Sequence, residues 1–257
     1  MKHLKLFLPL ALFVCLTGCF EIQENVDIKT NGSGQLVINT DMSQLLEMMQ
    51  TYMGKEEMDK QIPQRPVDTT IQMKDLVDTS KSISPANKAL FRNGNIHMKM
   101  NMAEKMFKAD MHFPFTSLDN LQKLYTAMND GSLNTANLFK GIATGKKDSI
   151  ESNNQTPDIN QFNAIYDFQS KDGIISRKLN AEKWKALQDD PQFAQMKQAT
   201  TMGIEVPYTL TVSLPRPVKK VDNALAKLSD DKKTVTIKYN LVEVFQTPEK
   251  FEYTIAY

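Results

Sequence analysis

Hydrophobic and polar residues alternate in several stretches of the chain, and each stretch predicts a β-strand with one apolar face. In residues 26–40, two alternating runs flank the tetrapeptide Asn-Gly-Ser-Gly at 31–34, which tolerates positive φ angles and therefore predicts a β-hairpin. Further strands are predicted at residues 96–102, 107–113, 162–168, 174–179, 208–214, 235–239 and 251–257. Most of these runs come in pairs, which is typical of antiparallel sheets.

The clearest hairpin prediction covers residues 96–113. Methionine and phenylalanine residues alternate there with charged and polar ones, and a turn at Glu104 and Lys105 would align the two apolar faces. This register places His97 opposite His112. A shift by one residue would move every side chain to the other face of the sheet, so the alternation favours a definite register.

Segments between the predicted strands carry apolar residues three and four positions apart, the spacing of a helix with one buried face. Asp41, Ser84, Ser117 and Asn180 precede such segments and can cap the helices. Helices are predicted near 42–53, 71–77, 85–91, 118–128, 181–187, 191–196 and 221–228, with connecting segments at 62–67 and 145–158. The fold class is therefore predicted to be α+β, a mainly antiparallel sheet of about nine strands with amphipathic helices packed on one face.

The N-terminal 19 residues have the three zones of a bacterial signal peptide. Lys2 and Lys5 give a positive start, and residues 6–16 are apolar throughout. A run of about 11 residues suits a signal peptide and is shorter than the ~20 residues that span a bilayer. The tetrapeptide Leu-Thr-Gly-Cys at 16–19 then resembles the lipobox at which bacterial lipoproteins are modified and cleaved.

This resemblance implies cleavage between Gly18 and Cys19, with S-diacylglycerol and an N-acyl chain added to Cys19. Residues 1–18 would then be a signal peptide and residues 19–257 a single envelope domain. Two or three acyl chains hold a protein stably on a membrane, whereas one chain does not. Phe20, rather than aspartate, follows the cysteine, which favours the outer membrane and a domain facing the periplasm. The alternative is an ordinary secretory signal that happens to contain Cys19.

The predicted mature chain has 239 of the 257 residues, because 18 are removed. Its composition limits the ligands and the kinds of site that are possible. Loss of Lys2 and Lys5 changes the formal net charge from +1 to −1, which gives no electrostatic reason to bind nucleic acid. Cys15 leaves with the signal and Cys19 is alkylated, so disulfides, thiolate metal sites and cysteine nucleophiles are excluded. The full chain contains 15 methionines, which indicate either adaptable core packing or a pliable apolar binding surface.

No catalytic motif stands out in the sequence. His97 facing His112 is the candidate metal pair, although a zinc site needs further ligands, and the alternative is two histidines on a solvated sheet face. A Gly-x-Ser-x-Gly nucleophile motif and a phosphate-binding Gly-x-x-x-x-Gly-Lys-Ser/Thr loop are both absent. We therefore expect a non-enzymatic protein without a cofactor.

Taken together, the layout resembles the LppM-like bacterial lipoproteins. The features that carry this resemblance are Cys19, the turn at 31–34, the strand at 208–214 with Pro215 and Pro217, Asn223, and the strand at 233–239. The resemblance implies a helix-backed antiparallel sheet, related in shape to lipid-binding domains and without enzymatic activity. Apart from Cys19, it assigns no functional residue.

The expected function is that of a membrane-tethered module that binds an apolar ligand or lipid, or an envelope partner protein. One alternative is a structural or assembly lipoprotein that acts only through protein contacts. Another is an unrecognised periplasmic hydrolase.

Overall fold

The computed structural model describes residues 20–44, 46–47, 65–81, 83–130, 135–144, 161–190 and 205–257, with the isolated positions 133, 193 and 197. These residues contain twelve β-strands in two sheets and four α-helices of seven or more residues. The predicted α+β class with mainly antiparallel pairing is confirmed. The predicted single sheet of about nine strands is wrong, because the strands divide into a sheet of eight and a sheet of four.

The strands are β1 Phe20–Ile28, β2 Gly34–Met42, β3 Val67–Gln72, β4 Asn95–Asn101, β5 Met106–Phe115, β6 Tyr166–Lys171, β7 Ile174–Leu179, β8 Pro207–Ser213, β9 Lys220–Asp222, β10 Ala226–Leu228, β11 Thr234–Asn240 and β12 Tyr253–Ala256. The α-helices are α1 Lys74–Val77, α2 Pro85–Phe91, α3 Leu118–Asn129, α4 Thr135–Thr144, α5 Gln161–Ala164 and α6 Ala181–Gln188. Two 3-10 helices, Leu241–Phe245 and Pro248–Phe251, precede the last strand.

The larger sheet has the strand order β10-β11-β8-β1-β2-β5-β4-β3, and the smaller sheet has the order β6-β7-β12-β9. Neighbouring strands run antiparallel except for β1 and β8, which run parallel. The strand β1 therefore lies in the middle of the larger sheet, between β8 and β2.

The larger sheet has an apolar inner face and a polar outer face, as the alternation predicts. Its inner face is covered by α2, where the rings of Phe91 and Phe113 meet edge to face at 5.8 Å, by α3, and by residues around the smaller sheet. The ring of Tyr239 on β11, for example, contacts Phe251 with centroids 4.3 Å apart. Helices alone were expected to cover this face, and the second sheet corrects that expectation.

The first hairpin is confirmed. Strands β1 and β2 pair along their whole length, from Phe20 opposite Met42 to Ile28 opposite Gly34. In the turn, the Asn31 side chain accepts a hydrogen bond from the Ser33 amide at 3.1 Å, and a glycine takes the positive φ that the turn requires.

The second hairpin, β4–β5, is confirmed as a hairpin, but its predicted register is wrong by two residues. The Asn101 side chain accepts hydrogen bonds from the amides of Ala103 and Glu104, and Lys105 takes a φ of 51°. A four-residue loop therefore replaces the predicted tighter turn, and His97 lies opposite Asp110. A shift by two residues keeps each side chain on its own face, which is why the alternation could not exclude it.

Three helix or strand predictions are wrong in the described residues. Residues 67–72, expected to end a connector and begin a helix, form β3, and the helix α1 is shorter than predicted. Residues 221–228, predicted to be helical, form the short strands β9 and β10. Asn223 explains this, because its side chain binds the Leu225 amide and the carbonyls of Lys250 and Glu252. Residues 162–164, predicted as strand, are helical.

The predicted caps of α2, α3 and α6 are confirmed, since Ser84, Ser117 and Asn180 each accept a hydrogen bond from a first-turn amide. Most of the helices predicted near 42–53 and 191–196 and the loop at 145–158 lie outside the described residues. Among the helices that the structure does describe, none has the length and apolar character to cross a bilayer.

Candidate functional site

Strand β6 forms one edge of the smaller sheet. It joins β7 through a tight turn at Asp172 and Gly173, in which Gly173 has a φ of +80°. The pairing of the two runs predicted at 162–168 and 174–179 is confirmed, with β6 lying at residues 166–171. In the described part of the sheet, the side of β6 away from β7 carries no further strand.

Every second residue of an antiparallel edge strand directs its main-chain N–H and C=O away from the sheet. Ser170 shows which residues of β6 do so, because its amide donates to Oε1 of Gln122 on α3 at 3.3 Å. By the two-residue repeat, Phe168 and Tyr166 direct their N–H and C=O groups to the same side. No described residue forms a hydrogen bond with these groups of Tyr166 and Phe168, so the edge is open over these two residues.

A cleft of about 700 Å³ runs beside this open edge. Its lining residues are Gln122, Thr126, Asn129 and Asp130 from α3 and its end, residues 164–169 from β6 and the segment before it, and Lys183, Ala186, Leu187 and Asp190 from α6 and its end. The cleft therefore lies between two helices, with the edge of a sheet along it. Its volume is in the range of ligand-binding pockets, roughly 300–1,000 Å³.

Side-chain contacts fix both helices against β6. The ring of Tyr125 on α3 stacks on Phe168 with centroids 3.9 Å apart. On the other side, Asp167 accepts hydrogen bonds from Asn180 at 2.9 Å and from Lys183 at 2.7 Å. These two hydrogen bonds, that from Lys183 first, lower the pKa of Asp167. The cleft is thus built by specific contacts along β6.

The charged residues that line the cleft are mostly acidic. Asp130, Asp167 and Asp190 line it together with Lys183. Each of these aspartates already has a partner within the protein, Lys183 for Asp167 among them, so the acidic lining does not define the charge of a ligand.

A charged cluster lies behind the cleft, in the core between the two sheets. We call it the Glu24–Arg177 cluster, defined as Glu24, Tyr125, Arg177, Tyr208 and Tyr239. Glu24 is only 2% exposed, and its two carboxylate oxygens accept hydrogen bonds from the hydroxyls of Tyr125 and Tyr208. Because a charge in the core is costly unless it is hydrogen-bonded and compensated, these contacts are needed to keep Glu24 there.

Arg177 supplies the opposite charge from the smaller sheet. It is 4% exposed, its guanidinium donates to the Tyr239 hydroxyl at 3.1 Å, and its Cζ lies 4.5 Å from the ring centroid of Tyr166. The rings of Tyr239 and Tyr208 stack at 4.9 Å, which connects the guanidinium to Glu24 on the larger sheet. Tyr166 belongs to β6, so the cluster also supports the strand that forms the cleft.

Burial is the largest influence on the pKa values of Glu24, Tyr125 and Tyr239 in this cluster and of Tyr253 beside it. It raises the pKa of Glu24, against the opposing effects of the Arg177 charge and the Tyr125 hydrogen bond. Burial also raises the pKa of Tyr239 to about 12, and it raises the pKa values of Tyr125 and Tyr253 above the usual value of 10.0.

These tyrosine shifts predict alkaline unfolding. The unfolded chain releases tyrosine protons near pH 10 and the folded chain holds them, so stability falls as the pH rises above 10. We expect the absorbance of tyrosinate from Tyr125, Tyr239 and Tyr253 to appear together with the loss of circular dichroism, in one transition. Ionisation of these tyrosines near pH 10 with unchanged circular dichroism would contradict the burial.

The residues singled out in the sequence do not converge on this cleft. Gly18 and Cys19 lie outside the described residues. His97 and His112 are not cross-strand partners: His97 lies near Asp68, with Nε2 and Oδ1 2.9 Å apart, and opposite Asp110. The predicted cross-strand facing of His97 and His112 is therefore wrong. The described part of the chain contains no cluster of three His, Cys, Asp or Glu side chains that could hold a metal ion.

Sequence reasoning missed Glu24 and Arg177, although the pattern contains a signal for both. Glu24 occupies the inward position between Ile22 and Val26 on a strand whose inward residues are otherwise apolar. Arg177 occupies the equivalent kind of position, two residues after Ile175 on β7. A charged residue on the apolar side of an alternating strand predicts a buried partner of opposite charge.

Comparison with known proteins adds little to this geometry. No protein-family model matches the chain, and no curated protein matches it. Among solved structures, it is weakly similar to the NMR structure of the folded domain of the LppM protein from Mycobacterium tuberculosis. That similarity has a TM-score of 0.30 and 9% sequence identity, and it covers 92% of this chain and 86% of the LppM domain.

Proposed function

We propose that this protein is a lipid-anchored envelope module without enzymatic activity, and that it binds an extended polypeptide segment of a partner protein along β6. The observation that carries the proposal is the open edge of β6 beside a cleft of about 700 Å³. An extended chain can add to such an edge as a further strand, with main-chain hydrogen bonds supplying affinity and side-chain pockets supplying specificity.

The open edge of β6 determines how we expect the bound segment to pair. Hydrogen bonds from the main chains of Tyr166 and Phe168 would engage alternate residues of the bound segment. The lipobox at 16–19 would hold this binding site at the membrane surface, and Phe20 favours the outer membrane.

A selection from a displayed library of linear peptides, with the detergent-purified protein as bait, tests this proposal. We expect the enriched peptides to bind along β6 in an extended conformation. Methylating their backbone nitrogens one at a time should weaken binding at every second position, about tenfold or more per lost contact, because only alternate N–H groups pair with β6. Equal effects at all positions would contradict strand addition.

Two alanines of α6 provide matched variants. Ala186 and Ala181 are both exposed, but only Ala186 lines the cleft. Ala186→Trp should obstruct the cleft and weaken binding of the selected peptides, whereas Ala181→Trp should leave their affinity unchanged. Equal affinities of the two variants would place the binding site elsewhere.

A second candidate ligand is a small amphipathic molecule or lipid. The cleft volume supports it, together with the apolar Ile165 and Leu187 among the polar lining residues. Thermal unfolding of the Ala186→Trp and Ala181→Trp variants in the presence of a lipid panel distinguishes this candidate. A lipid that raises the melting temperature of the Ala181→Trp variant alone would favour it over a peptide.

A further inference from the structure

We propose that the end of the larger sheet at which β1 begins lies against the lipid headgroups of the bilayer, with the β4–β5 loop facing the membrane. This orientation rests on the proposed lipid anchor at Cys19. This end of the sheet contacts the bilayer that holds the anchor, through polar groups at the level of the headgroups.

The distance between anchor and fold is the first argument. Strand β1 begins at Phe20, the residue that follows Cys19, and consecutive Cα atoms are only about 3.8 Å apart. Phe20 is itself paired with Met42 of β2. No linker therefore separates the lipid-bearing residue from the sheet, and this end of the sheet must stay next to the bilayer.

Strand order shows which groups share that end. Phe20 is level with Met42, and Asp41 of β2 pairs with Lys108 of β5. Strand β5 begins at Met106, so the loop at 102–105 projects past the start of β1 at the same end. The turn that joins β1 to β2 lies at the other end, about 30 Å away along nine residues of strand.

The side chains of the loop suit headgroups better than hydrocarbon. Ala103, Glu104 and Lys105 are exposed, while Met102 is buried. Lys105 forms an ion pair with Glu47, and Lys108 forms one with Asp41 at 3.0 Å. These two ion pairs are each neutral and Glu104 adds one negative charge, so contact with zwitterionic headgroups is sufficient and anionic lipids are not required.

This orientation also sets the direction of the cleft. Helix α3 begins at the far end, where Leu118 lies near Gly32 in the β1–β2 turn, and its Tyr125 hydroxyl reaches Glu24 nearer the start of β1. Strand β6 lies beside α3, where the Ser170 hydroxyl donates to the Leu118 carbonyl at the far end. The cleft, lined by residues of α3 and its end from Gln122 to Asp130, therefore extends from the far end towards the membrane.

Two labelled variants test the orientation. The predicted mature chain contains no cysteine other than Cys19, so Glu104→Cys and Ser33→Cys each introduce one labelling site at opposite ends of the sheet. Each purified lipoprotein would carry a fluorophore at that site and be reconstituted in phosphatidylcholine vesicles with nitroxide-labelled headgroups. We expect the label at 104 to lose most of its fluorescence and the label at 33 to lose little. Ala103→Cys, in the same loop, should repeat the result at 104.

The outcomes separate the orientation from the anchor. A chain that fails to sediment with the vesicles contradicts the anchor, and with it this part of the proposed function. A chain that sediments, but is quenched equally at both positions or more strongly at 33, overturns the orientation and leaves the anchor in place.

Discussion

Replacing Arg177 with methionine should lower the free energy of unfolding by about 3–5 kcal/mol at neutral pH, the usual cost of removing one partner from a buried charge pair. Arg177 and Glu24 are 4% and 2% exposed. Water therefore cannot solvate the Glu24 carboxylate once the charge of Arg177 is removed. Urea unfolding of residues 20–257 measures this loss. Methionine keeps an unbranched apolar side chain in the space, so the loss reports mainly on the charge.

The double variant Glu24→Gln/Arg177→Met is the control. Because it removes both charges, we expect it to be more stable than Arg177→Met alone, with a clear coupling energy in the double-mutant cycle. Additive losses, or a loss below about 1 kcal/mol for Arg177→Met, would contradict a role for the pair in stability.

The pH dependence of Glu24 provides an independent check. Burial raises the pKa of Glu24 in the folded state above its ordinary value of 4.5. The folded protein therefore binds this proton more tightly than the unfolded chain, and the contribution of Glu24 to stability falls as the pH rises from 4.5 through the folded pKa. Glu24→Gln should remove this fall, so its stability relative to the native protein should increase with pH over that interval.

Replacing Gly34 with alanine should destabilise the fold by at least about 3 kcal/mol, at the upper end of overpacking effects. A Cβ on Gly34 would overlap the main-chain carbonyl oxygen of Asp27 and lie 2.6 Å from Cζ of Phe115. The ring of Phe115 can move, but the Asp27 carbonyl is fixed in the hairpin. The first residues of β2 would therefore have to move away from both neighbouring strands, β1 and β5.

Gly32 in the same turn provides the matched control. A Cβ there would make an ordinary contact with Leu118 at 3.8 Å. The cost of Gly32→Ala therefore comes only from its φ of +79°, and it should be about 1–2 kcal/mol of stability. Thermal unfolding of the two variants compares them directly. A cost for Gly34→Ala that does not exceed that of Gly32→Ala would show that β2 is not packed as described.

The sequence predicts the long strands well, because alternation reports directly on which face of a strand is buried. The hairpins β1–β2, β4–β5 and β6–β7 and the strands β8, β11 and β12 all follow from it. Alternation cannot fix the register of a strand pair when the shift equals its period of two residues. The register of β4–β5 is shifted by two residues, which the pattern cannot detect, and the shift depends on the local hydrogen bonds of Asn101.

Short elements were harder to predict for a related reason. The apolar spacing over 221–228 fits one turn or two of helix, but the side chain of Asn223 binds the backbone of residues 250 and 252. That contact joins segments 27 and 29 residues apart, so no local pattern contains it. Strands β9 and β10 then extend one edge of each sheet.

The candidate cleft could not be predicted from the sequence. It depends on which strand ends a sheet and on how α3 and α6 pack beside that strand, and both are tertiary facts. The histidine pair looked like the strongest chemical signal in the sequence, whereas the described residues place His97 beside two aspartates. The cluster of Glu24 and Arg177 was accessible in principle, because both residues interrupt apolar stripes.

We propose that this domain works at a membrane to which Cys19 attaches it. Intact-mass and peptide mass spectrometry of the protein extracted from its native membrane tests the attachment. We expect a chain that lacks residues 1–18 and begins at Cys19, with a diacylglycerol thioether and an acylated amino group. A chain that retains Met1, or one whose Cys19 carries an unmodified thiol, would contradict it.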